Sequence, residues 1–348
     1  MTKRTTEPKL ITRRTALAGA TAATAVTGFP FVAKAQVKKF AKPIVAGLNG
    51  KVGDPTYESI AMIPKILKEK HNVEINMQLH PASTLGTDQA LLESVQTGFV
   101  GINSNTSSQW SPFTSAWEFA DLPYLISDWD MALRLYKSDL FHQQAAEMEK
   151  KLNVKVLPMV GAGGFRMMWN NKRPLKTPAD VQGLKIRSTT APIVIELNKL
   201  WGFNPTPIAW TETYTSIKQG VVDGMEVQAI WTYKFNLFEV LKYATETRST
   251  FTNQVQVMNG DLWKAMPPDI QTAFMAAAQE AADIANASDR KLDTEYHEQL
   301  KAKGMEIYEP TPAEYKAWRD LGEKVWDGAN AKKVDKTLIE ALLKMQKT

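Results

Sequence analysis

The chain has 348 residues, a formal net charge of +5 and a hydrophobic share of 44%, enough for two α/β lobes, since single cores stop growing near ~250–300 residues. It contains no cysteine, which excludes disulfides, thiolate nucleophiles and thiolate metal sites and suits an oxidising compartment. The charge does not point to nucleic acid: six basic residues among the first 35, against Glu7 alone, account for all of it, and no basic patch is interleaved with aromatics.

At the start of the chain, Thr12-Arg13-Arg14-Thr15-Ala16-Leu17 is followed by a mild Ala/Thr/Gly/Val stretch and by Ala33-Lys34-Ala35. This reads as a twin-arginine-like export signal over residues 1–35, cleaved after Ala35 to leave a periplasmic chain that begins at Gln36. Alanine stands where the twin-arginine pattern usually has phenylalanine, so Sec export stays open. The stretch is short and weakly apolar beside the ~20 residues a membrane span needs. No later segment is apolar enough to cross a bilayer, so the cleaved product is expected to be soluble.

Ile44 to Asn49 reads as the first strand, and Asp54 with Pro55 as an N-cap and first helical residue. Ile60, Ile63 and Leu67 point inward from that helix, and Pro64 predicts a kink or a late start. Val73, Ile75, Met77 and Leu79 alternate with polar residues as a strand does. Leu85-Gly86-Thr87-Asp88 then opens a helix that buries Leu91, Leu92 and Val95 and stops at Gly98. Phe99 to Asn103 is expected to be the next strand, with a polar run from Ser104 to Ser108 at its carboxyl end. An amphipathic helix from Leu140 to Leu152 and a strand from Val154 to Met159 lead into Gly161-Ala162-Gly163-Gly164. Arg166 stands where a dinucleotide loop needs glycine, so this cluster reads instead as a hinge between lobes. The return crossing is expected near Phe251-Thr252-Asn253, on a strand that runs through Val257.

Between the crossings, Gly183 to Arg187 is a short strand that delivers Arg187 at its carboxyl end. A helix follows, with Pro192 in its first turn, Ile193, Leu197 and Leu200 on one face and Gly202 past its end. The proline-rich run Pro205 to Trp210 fits only a sheet edge. Thr211 reads as the next N-cap, with Glu212 in the first turn, Tyr214, Ile217 and Val221 on one face, and Gly220 or Gly224 as the stop. In open α/β sheets ligands bind beyond the carboxyl ends of the strands, where Arg187 and Trp210 fall. From Pro267 the chain is mostly helical: a long run to about Lys303, a short strand around Ile307, and helices near residues 312–328 and 336–344.

Four segments, ASTLGTDQALLESVQTG, DLPYLISD, RPLKTPADVQGLKIRS and NPTPIAWTETYTSIKQGVVDG, together resemble the DctP-type solute-binding proteins of tripartite ATP-independent periplasmic (TRAP) transporters. The resemblance spans nearly all of the chain after the export signal. It implies a two-lobed α/β periplasmic-binding-protein fold with a ligand cleft between the lobes and a long C-terminal helix bracing both. The lobes are expected at residues 36–161 with 253–292, and at 162–252 with 293–348. The family's signature arginine for a substrate carboxylate corresponds to Arg187; Arg166, on the preceding strand, would complete a fork of donors. A lone strand arginine is more often a surface ion pair, and it is the family match that lifts Arg187 above that reading. Trp210 would form an apolar wall, with Trp169 and Trp231 as weaker candidates. By the same resemblance Asn49, Asp88 and Asn105 or Thr106 face ligand from the first lobe, while Asp121-Leu122-Pro123-Tyr124 packs that lobe.

The implied partners are a small organic acid and the TRAP membrane permease, driven by an ion gradient. No cofactor is expected; some relatives hold the acid through a cation, which leaves Glu226 open as a metal ligand. Val227 follows the Asp223-Gly224-Met225-Glu226 segment where many sialic-acid binders carry asparagine, and Trp210 stands where they carry phenylalanine. Both departures argue against a sialic-acid-like ligand and leave lactate, keto acids, sugar acids, aromatic acids and dicarboxylates. A binding protein for another transporter or a sensor would share the closure mechanics. A periplasmic enzyme is disfavoured: the chain has no Gly-x-Ser-x-Gly elbow and no His-Glu-x-x-His, and His71, His80, His142 and His297 are dispersed.

Overall fold

The computed structural model describes residues 37–347; the expected export signal lies outside them. Its first sheet contains β1 (Lys38–Leu48), β2 (Val73–His80), β3 (Ile102–Thr106), β4 (Val154–Val156) and β5 (Val160–Phe165). The second contains β6 (Met167–Asn170), β7 (Lys185–Ser188), β8 (Asn204–Pro207), β9 (Gly224–Val227) and β10 (Tyr243–Thr245), and β11 (Phe251–Asn259) then returns to the first. β12 (Glu306–Tyr308) adds an edge to the second sheet. The strand orders are β2-β1-β3-β11-β4, with β5 also on β11, and β12-β10-β6-β9-β7-β8.

Helices cover these sheets in chain order: α1 (Pro55–Ala61), α2 (Ile63–His71), α3 (Asp88–Thr97), α4 (Trp129–Tyr136), α5 (Asp139–Lys151), α6 (Pro192–Trp201), α7 (Thr213–Lys218), α8 (Ala229–Lys234), α9 (Gly260–Lys264), α10 (Pro268–Ala302), α11 (Pro312–Gly322) and α12 (Lys336–Met345). Local chemistry sets many of their ends. Asp54 accepts from Thr56 N at the start of α1, and Pro64 in the first turn of α2 separates it from α1. Gly98 and Gly202 end α3 and α6 in the left-handed conformation. The proline-rich β8 lies at the edge of its sheet, where two missing N–H donors cost no ladder bond.

Four local expectations change. The strand after α3 begins at Ile102 rather than Phe99: bonding to β1 starts only with Gly101 N on Val45 O, and Phe99 is left 74% exposed. The polar run through Thr106 therefore lies within the strand, not beyond it. β4 ends at Val156 and not at Met159. Thr211 is not an N-cap; it sits inside a 3-10 turn, Trp210–Glu212, and Glu212 precedes α7. Finally, β5 stays paired to β11 up to Phe165–Phe251, so Arg166 lies on no strand but in the one-residue break between β5 and β6.

Two short crossing segments therefore join the sheets, and α10, which carries the chain from β11 back to β12, is a third connection that braces both sides. At 35 residues it spans about 52 Å. Its alanines at 277, 278, 281, 282 and 285 are buried and let α1, α2 and β5 approach closely, while Tyr296 and Leu300 near its C-terminal end join the cluster that holds α8. Further along the same face, Asn286 and Asp289 accept hydrogen bonds from Gly161 N and Gly163 N at 2.8 and 2.9 Å. The helix thus holds the backbone of the glycine-rich crossing. Gly163 has φ +91°, and a Cβ there would meet Ile230 Cγ2 at 2.2 Å. Among the described residues no helix is long and apolar enough to cross a membrane.

Gly163→Ala combines left-handed backbone strain with that overlap and is expected to destabilise the protein by about 2–4 kcal/mol, read as a lower urea midpoint. An unchanged midpoint would mean that the crossing relaxes freely.

Candidate functional site

Arg187 leaves the end of β7 between β8 and β9, and its guanidinium enters a small cavity between the two sheets. Only 5% of the residue is exposed. Its Nε donates to Ile208 O at 3.0 Å, and its guanidinium carbon lies 5.7 Å from the centre of the Trp210 ring. Neither of its terminal nitrogens donates to any described residue. Burial pulls this guanidinium down to about 10, partly offset by the charge of Asp88 and reinforced by that of Arg166.

Arg166, also 5% exposed, reaches the cavity from the break between the sheets. Its Nε donates to Thr252 Oγ1 at 3.1 Å and its Nη2 to Ser108 Oγ at 3.0 Å, so much of its fork is spent on positioning. The wall opposite Arg187 is a chain of amides on first-sheet elements. Gln254 donates to Asn49, Asn49 to Asn105, and Asn105 to Asp88, at 2.7, 3.0 and 2.9 Å. Gln109 bonds the other oxygen of Asp88 at 3.0 Å. Burial pushes the Asp88 carboxyl above its ordinary range, against the Asn105 bond and the charge of Arg187.

On the second-sheet side Glu226 lies in β9 with one oxygen bonded by Ser249 Oγ; its Oε2 and the neighbouring Gln228 Nε2 are buried with no hydrogen-bond partner among the described residues. Burial raises Glu226 too, opposed by Arg166. Trp210 stands edge-on to Trp231 and Phe235, which stack on each other 5.2 Å apart. Over that stack, Lys51 from the loop after β1 donates to Lys234 O at 2.9 Å and sits 4.5 Å from the Phe235 ring. The two sides are thus joined across the mouth of the cleft.

Of the residues singled out from sequence, Asn49, Asp88, Thr106, Arg166, Arg187, Trp210 and Glu226 all line one cavity, and Asn105 bonds two of them from behind. Trp231 lines it as well, whereas Trp169 is core, with its Nε1 bonded to Val227 O. Gln109, Thr189, Gln228 and Thr252 also line it and went unnoticed, since nothing in their spacing separates them from ordinary polar residues. Asp121, expected only to pack, is fully buried and electrostatically coupled to Arg166. Among the described residues no three of His, Cys, Asp or Glu gather as a metal set.

Residues 47–333 match the family described as bacterial extracellular solute-binding protein, family 7 (DctP). The chain belongs to this family. Among DctP relatives it is 31% identical to the 2,3-diketo-L-gulonate-binding periplasmic protein YiaO of Escherichia coli K12, over 75% of this chain and 79% of that one. It is 28% identical to the C4-dicarboxylate-binding periplasmic protein DctP of Rhodobacter capsulatus, over 91% and 94% of the two chains. Its fold matches that of a TRAP periplasmic solute-binding protein from Bordetella bronchispeptica, solved with density assigned to pantoate, with a TM-score of 0.81 at 26% identity over 88% of this chain and 99% of the other. DctP members are transport proteins, and this chain shares their two-lobed architecture with the cleft between the lobes.

Asp121 supplies a test of the electrostatics. Burial pushes its carboxyl from the ordinary 3.8 up to about 7, with Arg166 opposing. The folded state therefore binds this proton more tightly than the unfolded chain, and the stability it contributes is full below the unfolded value and lost as pH rises toward about 7. Between pH ~4 and ~7 the parent should lose a few degrees of melting temperature relative to Asp121→Asn, with the two running parallel above that window. Parallel curves throughout would show that Asp121 ionises normally.

Proposed function

We propose that this chain is the extracytoplasmic solute-binding subunit of a TRAP transporter. It is exported to the periplasm by residues 1–35, closes its lobes around an organic acid anion, and hands that anion to a membrane permease. The lobes are taken to divide where the chain changes sheets, at Arg166 and between β10 and β11, rather than at residues 162 and 253. It is a carrier and not an enzyme. The observation that carries the reading is Arg187: a buried guanidinium, pinned by Ile208 O and Trp210, with two parallel N–H donors uncommitted to protein. That geometry matches a carboxylate in bidentate fashion.

The rest of the cavity narrows the ligand. Glu226 Oε2 calls for a donor and Gln228 Nε2 for an acceptor, so an acid with a hydroxyl or carbonyl beyond its carboxylate satisfies both. Val227, Trp210 and Trp231 give the remaining wall an apolar character, which favours a small hydroxy or keto acid over a large polyhydroxylated one. The reading assigns the positive charge to the arginines and needs no cation. The relatives named for diketogulonate and C4-dicarboxylates, and the structure with density assigned to pantoate, support the carboxylate class.

A thermal-shift screen of the purified protein against organic acids should reveal a selective rise in melting temperature. Arg187→Ala should then weaken the selected acid by ~30-fold to several thousand-fold in calorimetry, because truncating one partner of a buried charge pair costs ~2–5 kcal/mol. Arg187→Lys should fall between, since an ammonium keeps the charge and loses the fork. Parent-like affinity in Arg187→Ala would remove the site assignment.

A further inference from the structure

A second, small pocket lies where the crossing segments meet the C-terminal helices, and it shares no lining residue with the cleft. Tyr124, Phe165, Arg248, Tyr315, Arg319 and Gln346 surround it. Two guanidinium groups converge there, each resting on an aromatic ring: Arg248 lies 4.5 Å from the centre of Phe165, and Arg319 5.3 Å from that of Tyr124. Arg319 spends only Nε, on Glu323, and Arg248 donates to no described residue. Glu246 and Asp293 lie within electrostatic reach of Arg248, but neither forms an ion pair with it.

Two further observations separate this pocket from an ordinary surface dimple. Tyr124 is 6% exposed, yet its hydroxyl is buried with no hydrogen-bond partner among the described residues. Both Tyr124 and Arg248 adopt positive φ, 63° and 45°, a conformation uncommon for residues other than glycine and often retained at ligand sites. Guanidinium groups donate and never accept, and the common complement of two that converge is an oxyanion. We propose that this pocket is a second anion site, taking a small oxyanion such as sulfate, phosphate or a carboxylate between Arg248 and Arg319. Phe165 ends one crossing strand and Arg248 sits just before the other, so the anion rests against both. Ser249, whose carbonyl accepts from Tyr124 N at 2.6 Å, turns its hydroxyl to Glu226 in the cleft.

The test titrates the protein with sodium sulfate, sodium phosphate and sodium acetate, each against sodium chloride at matched ionic strength, following melting temperature and heat. At least one oxyanion should stabilise it saturably beyond chloride, and this should persist in Arg187→Ala, which separates it from occupancy of the cleft. Arg248→Ala and Arg319→Ala, both on exposed side chains, should each weaken that anion by ~10-fold or more, and Tyr124→Phe by a few-fold. A response no larger than that of chloride, or one abolished by Arg187→Ala and unaffected by Arg248→Ala, overturns the proposal whether or not the cleft binds organic acids.

Discussion

Two guanidinium groups are buried together between the sheets of this protein, and the rest of the structure is arranged to make that tolerable. Taking a cation out of water costs several kcal/mol unless charges and hydrogen bonds replace the solvent. Here the replacement comes from three directions. Asp88 faces Arg187 from the first sheet, Asp121 and Glu226 lie near Arg166, and carbonyl and hydroxyl oxygens accept from each Nε. Each of these acids is itself penalised by burial, so the cluster is poised rather than saturated. The carboxylate proposed as ligand would add the charge that Arg187 lacks in its immediate contacts, and desolvation would strengthen that pairing.

The topology explains how such groups meet. Arg187 comes from the end of a strand, Arg166 from the break where the chain changes sheets, and the amide chain from β3, β11 and the loop after β1. None is near another in sequence. What fixes their distance is the pair of crossing segments, held in register by β5 against β11 and by the side chains of α10 on the glycine backbone. In the closure proposed above, a motion about those crossings would change the separation of the two walls without disturbing either wall internally.

Much of this was legible in the residues. Proline and glycine punctuation placed α1, α3, α6 and the edge strand β8, because those residues act through local backbone geometry that needs no tertiary information. Arg187 and Trp210 were legible as strand-end residues, and their grouping with Asn49, Asp88 and Glu226 came through the family resemblance. Other features are set by distant partners. Phe99 has the composition of a strand residue, but backbone bonding to β1 begins only at Gly101 and leaves Phe99 exposed, and Thr211 lost its capping role to a turn that begins at Trp210. Gln228 and Thr252 carry no signal because a polar residue facing a cavity and one facing solvent look alike in one dimension. Asp121 is the clearest case: its chain neighbours advertise packing, and its chemistry comes from an arginine 45 positions away.

The reach of Lys51 to the carbonyl of Lys234 and the face of Phe235 has a kinetic meaning. Neither Lys51 nor Lys234 lines the cavity beside Arg187, so the clasp does not discriminate between solutes. In the lobe closure proposed above, such a contact between the two sides would hold the shut form and lengthen the stay of a captured solute. Under that proposal dwell time and selectivity fall to different residues, and a substitution at position 51 is expected to retune release while leaving the list of accepted solutes intact.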